Sequence, residues 1–369
     1  MRDERDAGMR RYRVAHYGTG HTGTLVLRQL LQRPDVELVG HLVHSPEKIG
    51  KDSGEIVGLD PVGVRATGSF DEFCALDVDC VTYMATEFGR EVDDVVDEMC
   101  RLLESGKNVV TTTFIRLVYP KSLPPDMLAK LEKACAAGQS AFMGTGIAPG
   151  FTTDALPVYL GSLSEAPHTV RVAERVLQGT YSDPLSFMAL GFGTVPQGPT
   201  TDLPADVWIV HFEGALRMLA DGYGWELESI NAYQDLALAD KDYEFEAGAI
   251  PQGTVAAVRL RFDGIVDGVP RLRMSWIYTM PDQPGDSWSP VRPTGSKGRR
   301  FTHVDIDGTP GVSVQLELDG GELPGGDATA TRALNAIKAV CNATPTVHSA
   351  LDLVVTPQGV QTVKQGEIS

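Results

Sequence analysis

The feature that most constrains this chain is Gly18-Thr19-Gly20-His21-Thr22-Gly23. This G-x-G-x-x-G lies between a β-like run, Tyr12–Tyr17 (YRVAHY), and an apolar-periodic stretch, Thr24–Gln32, that stops before Pro34. In that setting each glycine plays a separate part, with a tight turn at Gly18, close approach to a pyrophosphate at Gly20, and helix-to-strand packing at Gly23. The first helical turn adds free N–H groups and a partial positive charge. Val36–Val43 (VELVGHLV) reads as the second strand, which completes one βαβ unit. The alternation continues with a third strand at Gly63–Ala66, a short helix capped by Ser69, and strand Val81–Met84. Helix Glu91–Leu103 with Gly106 at its C′ position, strand Asn108–Thr113, helix Pro125–Ala137 and strand Ser140–Met143 follow. That rhythm predicts an α/β fold, a Rossmann doubly wound parallel sheet covered on both faces.

After Phe151 the pattern changes to strand-like alternation at Val170–Val176, Val255–Phe262, Arg271–Thr279 and Val312–Leu318, with a helix expected over Pro204–Leu219. The prediction is a second α+β domain on a mostly antiparallel sheet. The expected division is a disordered tail over 1–11, a dinucleotide-binding domain over 12–151 and a substrate and dimerisation domain over 152–325. A C-terminal helix and tail over 326–369 is expected to pack back on the first domain. Residues 281–300, rich in Pro, Gly and Ser, read as a long loop or lid.

Charge narrows the partners. Thirty-two basic against 49 acidic residues give a net charge of −17, which repels nucleic acid and anionic membrane over most of the surface. No apolar run reaches the roughly 20 residues a bilayer span needs, and residues 1–11 lack the apolar core of a signal peptide, so a cytoplasmic protein is expected. Five cysteines without a C-x-x-C pair fit reduced thiols, and the histidines show no ligand spacing, so no metal is expected.

The exit of the second strand selects the cofactor, because an acid there pairs with the ribose of NAD and repels a 2′-phosphate. Here His44, Ser45 and Lys48 can face a phosphate, while Glu47 lies past Pro46, so NADP is favoured over NAD. Ligands in such sheets bind beyond the carboxyl ends of the strands, which adds Ala85, Thr86 and Glu87, then Thr112, then Gly146, Ile147 and Phe151 as candidates. Phe187, Met188 and Phe192 belong to an uncharged segment that suits an apolar substrate pocket or plain core packing. Tyr181, Asp183, His211 and Glu213 stand near expected element ends.

Several segments together resemble the 2,4-diaminopentanoate dehydrogenase and native amine dehydrogenase family, whose N-terminal domain is related to dihydrodipicolinate reductase. They are the glycine loop, Ile49–Glu55 (IGKDSGE), Val118-Tyr119-Pro120, Gly144–Phe151 (GTGIAPGF), His211-Phe212, Asp221–Glu226 (DGYGWE), and Gly326–Ala330 (GDATA) followed by Asn335. The resemblance covers about Tyr12 to Pro357. It implies a usually homodimeric NAD(P)-dependent oxidoreductase that interconverts an amine with a ketone or aldehyde plus ammonia by hydride transfer, with substrate in the cleft between the domains.

Two departures stand out. The catalytic lysine- and histidine-bearing segment of dihydrodipicolinate reductases is missing. The acid that the amine dehydrogenase pattern places just before Tyr-Pro is also missing, and Arg116 stands in Phe114–Val118 (FIRLV) instead. Reductive amination needs a group that moves protons, whereas carbonyl reduction needs one donor to an incipient alkoxide. Arg116 suits an oxyanion or a carboxylate, and Glu87 is the available replacement acid. Ammonia-independent ketone reduction, or a cofactor-binding sensor without chemistry, therefore stand as alternatives.

Overall fold

The computed structural model describes residues 10–86, 89–179, 184–283, 298–319 and 324–358. The chain divides into two compact units, Met1–Gly150 with Gly326–Ser369, and Phe151–Gly325.

The first unit runs β1 (Tyr12–Tyr17), α1 (His21–Leu31), β2 (Val36–Leu42), α2 (Ser53–Ile56), β3 (Ala66–Thr67), α3 (Phe70–Cys74), β4 (Cys80–Tyr83), α4 (Val92–Glu104), β5 (Asn108–Thr111), α5 (Pro125–Gly138) and β6 (Phe142–Gly144). Helix α1 starts before the first periodic apolar residue because Gly20, in extended conformation, serves as its N-cap. The third strand is shorter and later than expected, since Gly63 has a φ of +83° and its N–H is taken by the Asp52 carboxylate at 2.8 Å. The sixth begins at Phe142, because the Ser140 hydroxyl caps the Leu103 carbonyl at 2.8 Å instead of joining a ladder. Helix α4 buries Val95, Val96, Met99, Leu102 and Leu103 against the sheet, each such side chain contributing about 1.5–3 kcal/mol. It carries Asp93 and Asp94 in its first turn, and Gly106 at φ +85° follows its end.

The second unit runs α6 (Ala155–Gly161), β7 (Thr169–Leu177), α7 (Pro184–Ala189), β8 (Leu203–Pro204), α8 (Ile209–Gly222), β9 (Ser229–Leu238), β10 (Tyr243–Phe245), β11 (Gly248–Ile250), β12 (Val255–Val266), β13 (Val269–Thr279), β14 (Arg300–Asp307) and β15 (Val312–Leu318). Its main sheet has the order β15-β14-β7-β13-β12-β9-β8, with β7 and β13 parallel and the other neighbours antiparallel. Helix α8 covers one face, and its Phe212 ring lies 4.0 Å from that of Trp276 on β13. Residues 204–219 are not one helix: Leu203–Pro204 joins the sheet, Asp206–Trp208 forms a 3₁₀ turn, and α8 starts at Ile209. Strands β9 and β14 escaped the sequence pattern because polar residues such as Asn231, Asp235, His303 and Asp305 interrupt their apolar positions. Residues 284–297 of the expected loop lie outside the described residues.

The chain returns to the first unit through α9 (Pro324–Cys341) and β16 (Val347–His348), which pairs parallel to β6. The completed sheet is all parallel, in the order β16-β6-β5-β4-β1-β2-β3. Ala330, Ala333, Leu334, Ile337 and Val340 of α9 are buried, and Gln29 of α1 donates to the Asp327 carbonyl at 3.1 Å. Residues 1–9 of the expected tail lie outside the described residues, while Arg10 pairs with Asp79 at 2.9 Å.

Candidate cofactor and active site

The glycine loop closes the carboxyl end of β1. Gly18 has a φ of +104°, and a Cβ there would sit 2.7 Å from the Met84 and Ala85 backbone, so no side chain fits. A Cβ on Gly23 would lie 2.4 Å from the Gly18 carbonyl oxygen. A Cβ on Gly20, by contrast, would meet nothing within 4 Å. Packing within the chain therefore requires Gly18 and Gly23, whereas Gly20 leaves room above the start of α1, as a cradle for a pyrophosphate needs. Thr19 precedes Gly20, and His21 and Thr22 form the first turn of α1 after it.

His16 supports the loop from below. It is fully buried, with Nε2 2.7 Å from the Gly18 carbonyl and Nδ1 2.8 Å from the Thr82 hydroxyl. A carbonyl only accepts, so Nε2 carries the proton and Nδ1 accepts from Thr82. Burial lowers the His16 pKa to about 4, against the opposing pull of its hydrogen bonds to the backbone of Gly18 and Gly23. The His41 ring is 5.4 Å away, its Nδ1 3.0 Å from the Ser53 hydroxyl and its Nε2 buried with no partner among the described residues. Burial, followed by the charges of His16 and Lys48, lowers its pKa to about 3.

At the exit of β2, Lys48 reaches back to the loop. Its ammonium donates to the Thr19 hydroxyl at 3.0 Å and to the Thr19 carbonyl at 3.2 Å. Ser45 caps the 3₁₀ turn Pro46–Lys48, which also carries Glu47. His44 is exposed, with Nε2 2.7 Å from the Tyr17 hydroxyl. Of the three β2-exit candidates, Lys48 therefore contacts Thr19, His44 contacts Tyr17, and Ser45 stands at the start of the turn between them.

The other strand exits add further candidates. Ala85 is buried and its carbonyl accepts from Thr113 at 2.7 Å, Thr86 is exposed, and Glu87 and Phe88 lie outside the described residues. Thr112 donates to the Met84 sulfur at 3.0 Å. Phe114 follows with a φ of +61°, strain that costs about 1–3 kcal/mol in a non-glycine residue and clusters at working sites. It opens the 3₁₀ turn Ile115–Val118 that carries the half-buried Arg116. That turn packs on the end of β6, where a Cβ on Gly144 would lie 2.2 Å from the Leu117 carbonyl. Thr145 follows with a buried hydroxyl lacking a partner among the described residues, then Gly146 and the buried Ile147. One sheet edge therefore gathers the glycine loop, Lys48, Thr112, the Arg116 turn and Thr145–Ile147.

In the second unit, Phe151 is half-buried and Phe192 is a core residue whose ring lies tilted against that of Phe187, with centroids 5.6 Å apart. Glu213 pairs with Arg217 along α8, and Tyr181 and Asp183 lie outside the described residues. Glu174 on β7 is fully buried, paired with Arg300 and accepting from the Thr302 hydroxyl. Sequence reasoning missed His16, Thr145, Glu174 and a Tyr17–Tyr83–Glu98–Arg90 cluster. The available signal was an ionisable or polar residue inside an otherwise apolar strand, as His16 is in YRVAHY.

An amine dehydrogenase from Streptomyces virginiae is 31% identical over 352 residues, 92% of this chain and 96% of that protein. The chain belongs to the amine dehydrogenase and 2,4-diaminopentanoate dehydrogenase family. A 2,4-diaminopentanoate dehydrogenase from Acetoanaerobium sticklandii is 24% identical, with 94% of each chain covered, and the model of the 2,4-diaminopentanoate dehydrogenase C-terminal domain matches residues 206–366. The fold is that of an amine dehydrogenase from Mycobacterium smegmatis, with a TM-score of 0.71 and 20% identity over 94% of this chain and 98% of that one. As a member of this family the protein is an NAD(P)-dependent dehydrogenase. Among the described residues no helix is long and apolar enough to cross a membrane.

Proposed function

We propose that this dehydrogenase prefers NADPH and interconverts a small ketone or aldehyde plus ammonia with the corresponding amine. In the reductive direction carbonyl, ammonium, NADPH and one proton give alkylammonium, NADP⁺ and water. The substrate class rests on the likeness to the amine dehydrogenase along nearly its whole length. The cofactor preference rests on Lys48, whose ammonium sits on Thr19, and on His44 and Ser45, which precede it in the same segment after β2. When bound, the nicotinamide supplies the hydride.

The residues at the sheet edge divide the remaining work. The N–H groups at the start of α1, with Thr19, His21 and Thr22, hold the pyrophosphate over Gly20, while His44, Ser45 and Lys48 hold the 2′-phosphate. Ala85, Thr86 and Thr112 border the dinucleotide, and Gly146 and Ile147 border the nicotinamide end, where the Thr145 hydroxyl is a buried group in need of a partner. Phe151 supplies apolar surface for the substrate, and core packing accounts for Phe192. Arg116 stabilises negative charge on the carbonyl oxygen, and Glu87 carries the protons that amination requires.

One observation favours a second reading: the 114–120 segment holds Arg116 and no acid. An arginine helps an alkoxide and opposes a cationic iminium, as ammonia-independent carbonyl reduction would need. The experiment is NADPH oxidation with a ketone and aldehyde panel, with and without ammonium. Turnover only with ammonium supports amination, turnover without it selects carbonyl reduction, and tight NADPH binding with no turnover selects a sensor. The family resemblance also supports a cytoplasmic homodimer, which light scattering tests for its oligomeric part.

A further inference from the structure

The core of the second unit carries a polar island at one end. On β7, Val170 and Val172 point into the core that α8 covers, and Glu174 continues the same alternating row. In register Glu174 lies between Thr302 of β14 and Trp276 of β13, and Val176, the next residue on that face, lies between Arg300 and Tyr278. The Glu174 carboxylate is completely buried. One of its oxygens accepts from Arg300 Nε, and the other accepts from the hydroxyls of Thr302 and, at 3.5 Å, Thr152.

This network occupies the carboxylate and leaves two donor groups over. The Arg300 guanidinium has no other partner among the described residues, so its Nη donors are unmet, and the Tyr278 hydroxyl has none either. The Arg300 side chain keeps 17% of its exposure, so a ligand can reach its free end. Its direction is fixed, because reaching Glu174 carries it from β14 over β7, toward the strand that bears Tyr278. There Nη1 lies against bare backbone, 2.4 Å from where a Cβ on Gly325 would sit. Burial pushes the Tyr278 phenol up to about 12, with the Arg300 charge pulling it down and the Glu174 charge pushing it up, so the phenol stays a donor beside both charges. Two neighbouring donor groups, next to a carboxylate already shared among three others, call for an acceptor from outside the chain. A guanidinium edge matches a carboxylate with two parallel hydrogen bonds. Glu174 and Arg300 together carry no net charge, which favours a singly charged carboxylate over a doubly charged phosphate. Thr152 directly follows Phe151, the apolar surface proposed above for the substrate.

We propose that the carbonyl substrate bears a carboxylate, which Arg300 and Tyr278 hold, so that the enzyme selects an oxo acid over an uncharged ketone or aldehyde. This rests on the reaction proposed above and names its substrate class.

The test compares short-chain oxo acids, each against its own primary amide, by kcat/KM with NADPH and ammonium and by the shift in Tm that each compound causes in the presence of NADPH. In the wild type at least one acid is expected to exceed its amide by about tenfold or more, the scale of one charge-assisted hydrogen bond. Arg300→Lys keeps a cation beside Glu174 and Tyr278→Phe keeps the ring in the core, so both variants should fold, which the unliganded Tm checks. The acid-to-amide ratio should fall about tenfold in Arg300→Lys, which loses the fork, and about fivefold in Tyr278→Phe, which loses one neutral donor. Acetate should compete with the acid more strongly than inorganic phosphate does, and the reverse order overturns the choice of a carboxylate. Equal rates and equal Tm shifts from acid and amide in the wild type overturn the proposal while leaving the reaction standing. A preference for acids that survives in both variants overturns the assignment to Arg300 and Tyr278. Acid-specific Tm shifts that shrink in the variants, with no turnover of any compound, keep the carboxylate site and overturn the reaction. Neither shift nor turnover overturns both.

Discussion

Gly20→Ala separates a cofactor cradle from an ordinary glycine turn. The residue has φ −70° and ψ −170°, extended values that alanine adopts without strain, and the added methyl meets no atom of the chain within 4 Å. The unliganded protein should therefore lose nothing and gain about 0.4–1 kcal/mol, because alanine narrows the unfolded ensemble. A pyrophosphate over the start of α1 needs the space that methyl takes. Forcing a methyl into an occupied contact costs about 2 kcal/mol, which weakens dinucleotide binding roughly 30-fold. The assay is thermal unfolding with and without NADPH. At about 100 times the wild-type dissociation constant the ligand adds about 2.7 kcal/mol to wild type, and after a 30-fold weakening it adds about 0.9 kcal/mol. The ligand-induced rise in Tm should thus shrink to about a third, on an unliganded Tm that is unchanged or higher. An undiminished shift would refute the cradle, and a lowered unliganded Tm would refute the claim that the space is empty.

Other variants probe neighbouring parts of the same scheme. Gly23→Ala places a methyl 2.4 Å from the Gly18 carbonyl oxygen, so it should cost about 1–3 kcal/mol of stability without any ligand, read from urea midpoints. Lys48→Met should weaken NADPH binding more than NADH binding, and equal weakening would point to a pyrophosphate contact instead. His16 and His41 are buried neutral, with pKa values lowered to about 4 and about 3 from 6.5. The unfolded chain then binds more protons, so stability is complete above about pH 6.5 and falls on acidification. Urea titrations at about pH 7 and about pH 5 should show that loss, reduced in His41→Gln, and equal midpoints would contradict it. In the second unit Arg300→Met leaves the Glu174 carboxylate buried and uncompensated, which should cost about 3–5 kcal/mol, while adding Glu174→Leu should restore part of that loss.

Much of the architecture follows from local pattern. Strong periodicity in α4 and the uncharged, β-branched runs of β4 (CVTY) and β5 (NVVT) identify their elements, because a strand buried on both faces tolerates few charges. Strands β9 and β14 were illegible because ion pairs and hydrogen bonds formed by distant residues allow polar side chains in them, as Arg259 does for Asp235 at 2.6 Å. Among the candidate site residues, the glycine loop and the His44–Lys48 exit could be named from sequence, since turn chemistry and strand ends leave local marks.

Pairings across the sheet leave no such marks. That Lys48 reaches Thr19, that His16 meets the Gly18 carbonyl, and that Tyr17 meets both His44 and Glu98 depend on neighbours 2 to 81 positions apart brought together by β1, β2, β4 and α4. The sequence alone determined that the chain would build a doubly wound parallel sheet opening on a dinucleotide loop, because helix and strand periods and glycine conformations are local properties of the chain. Only the tertiary structure decided which side chains share protons at that loop, because hydrogen bonds of about 3 Å depend on the register between strands rather than on the order of residues along one.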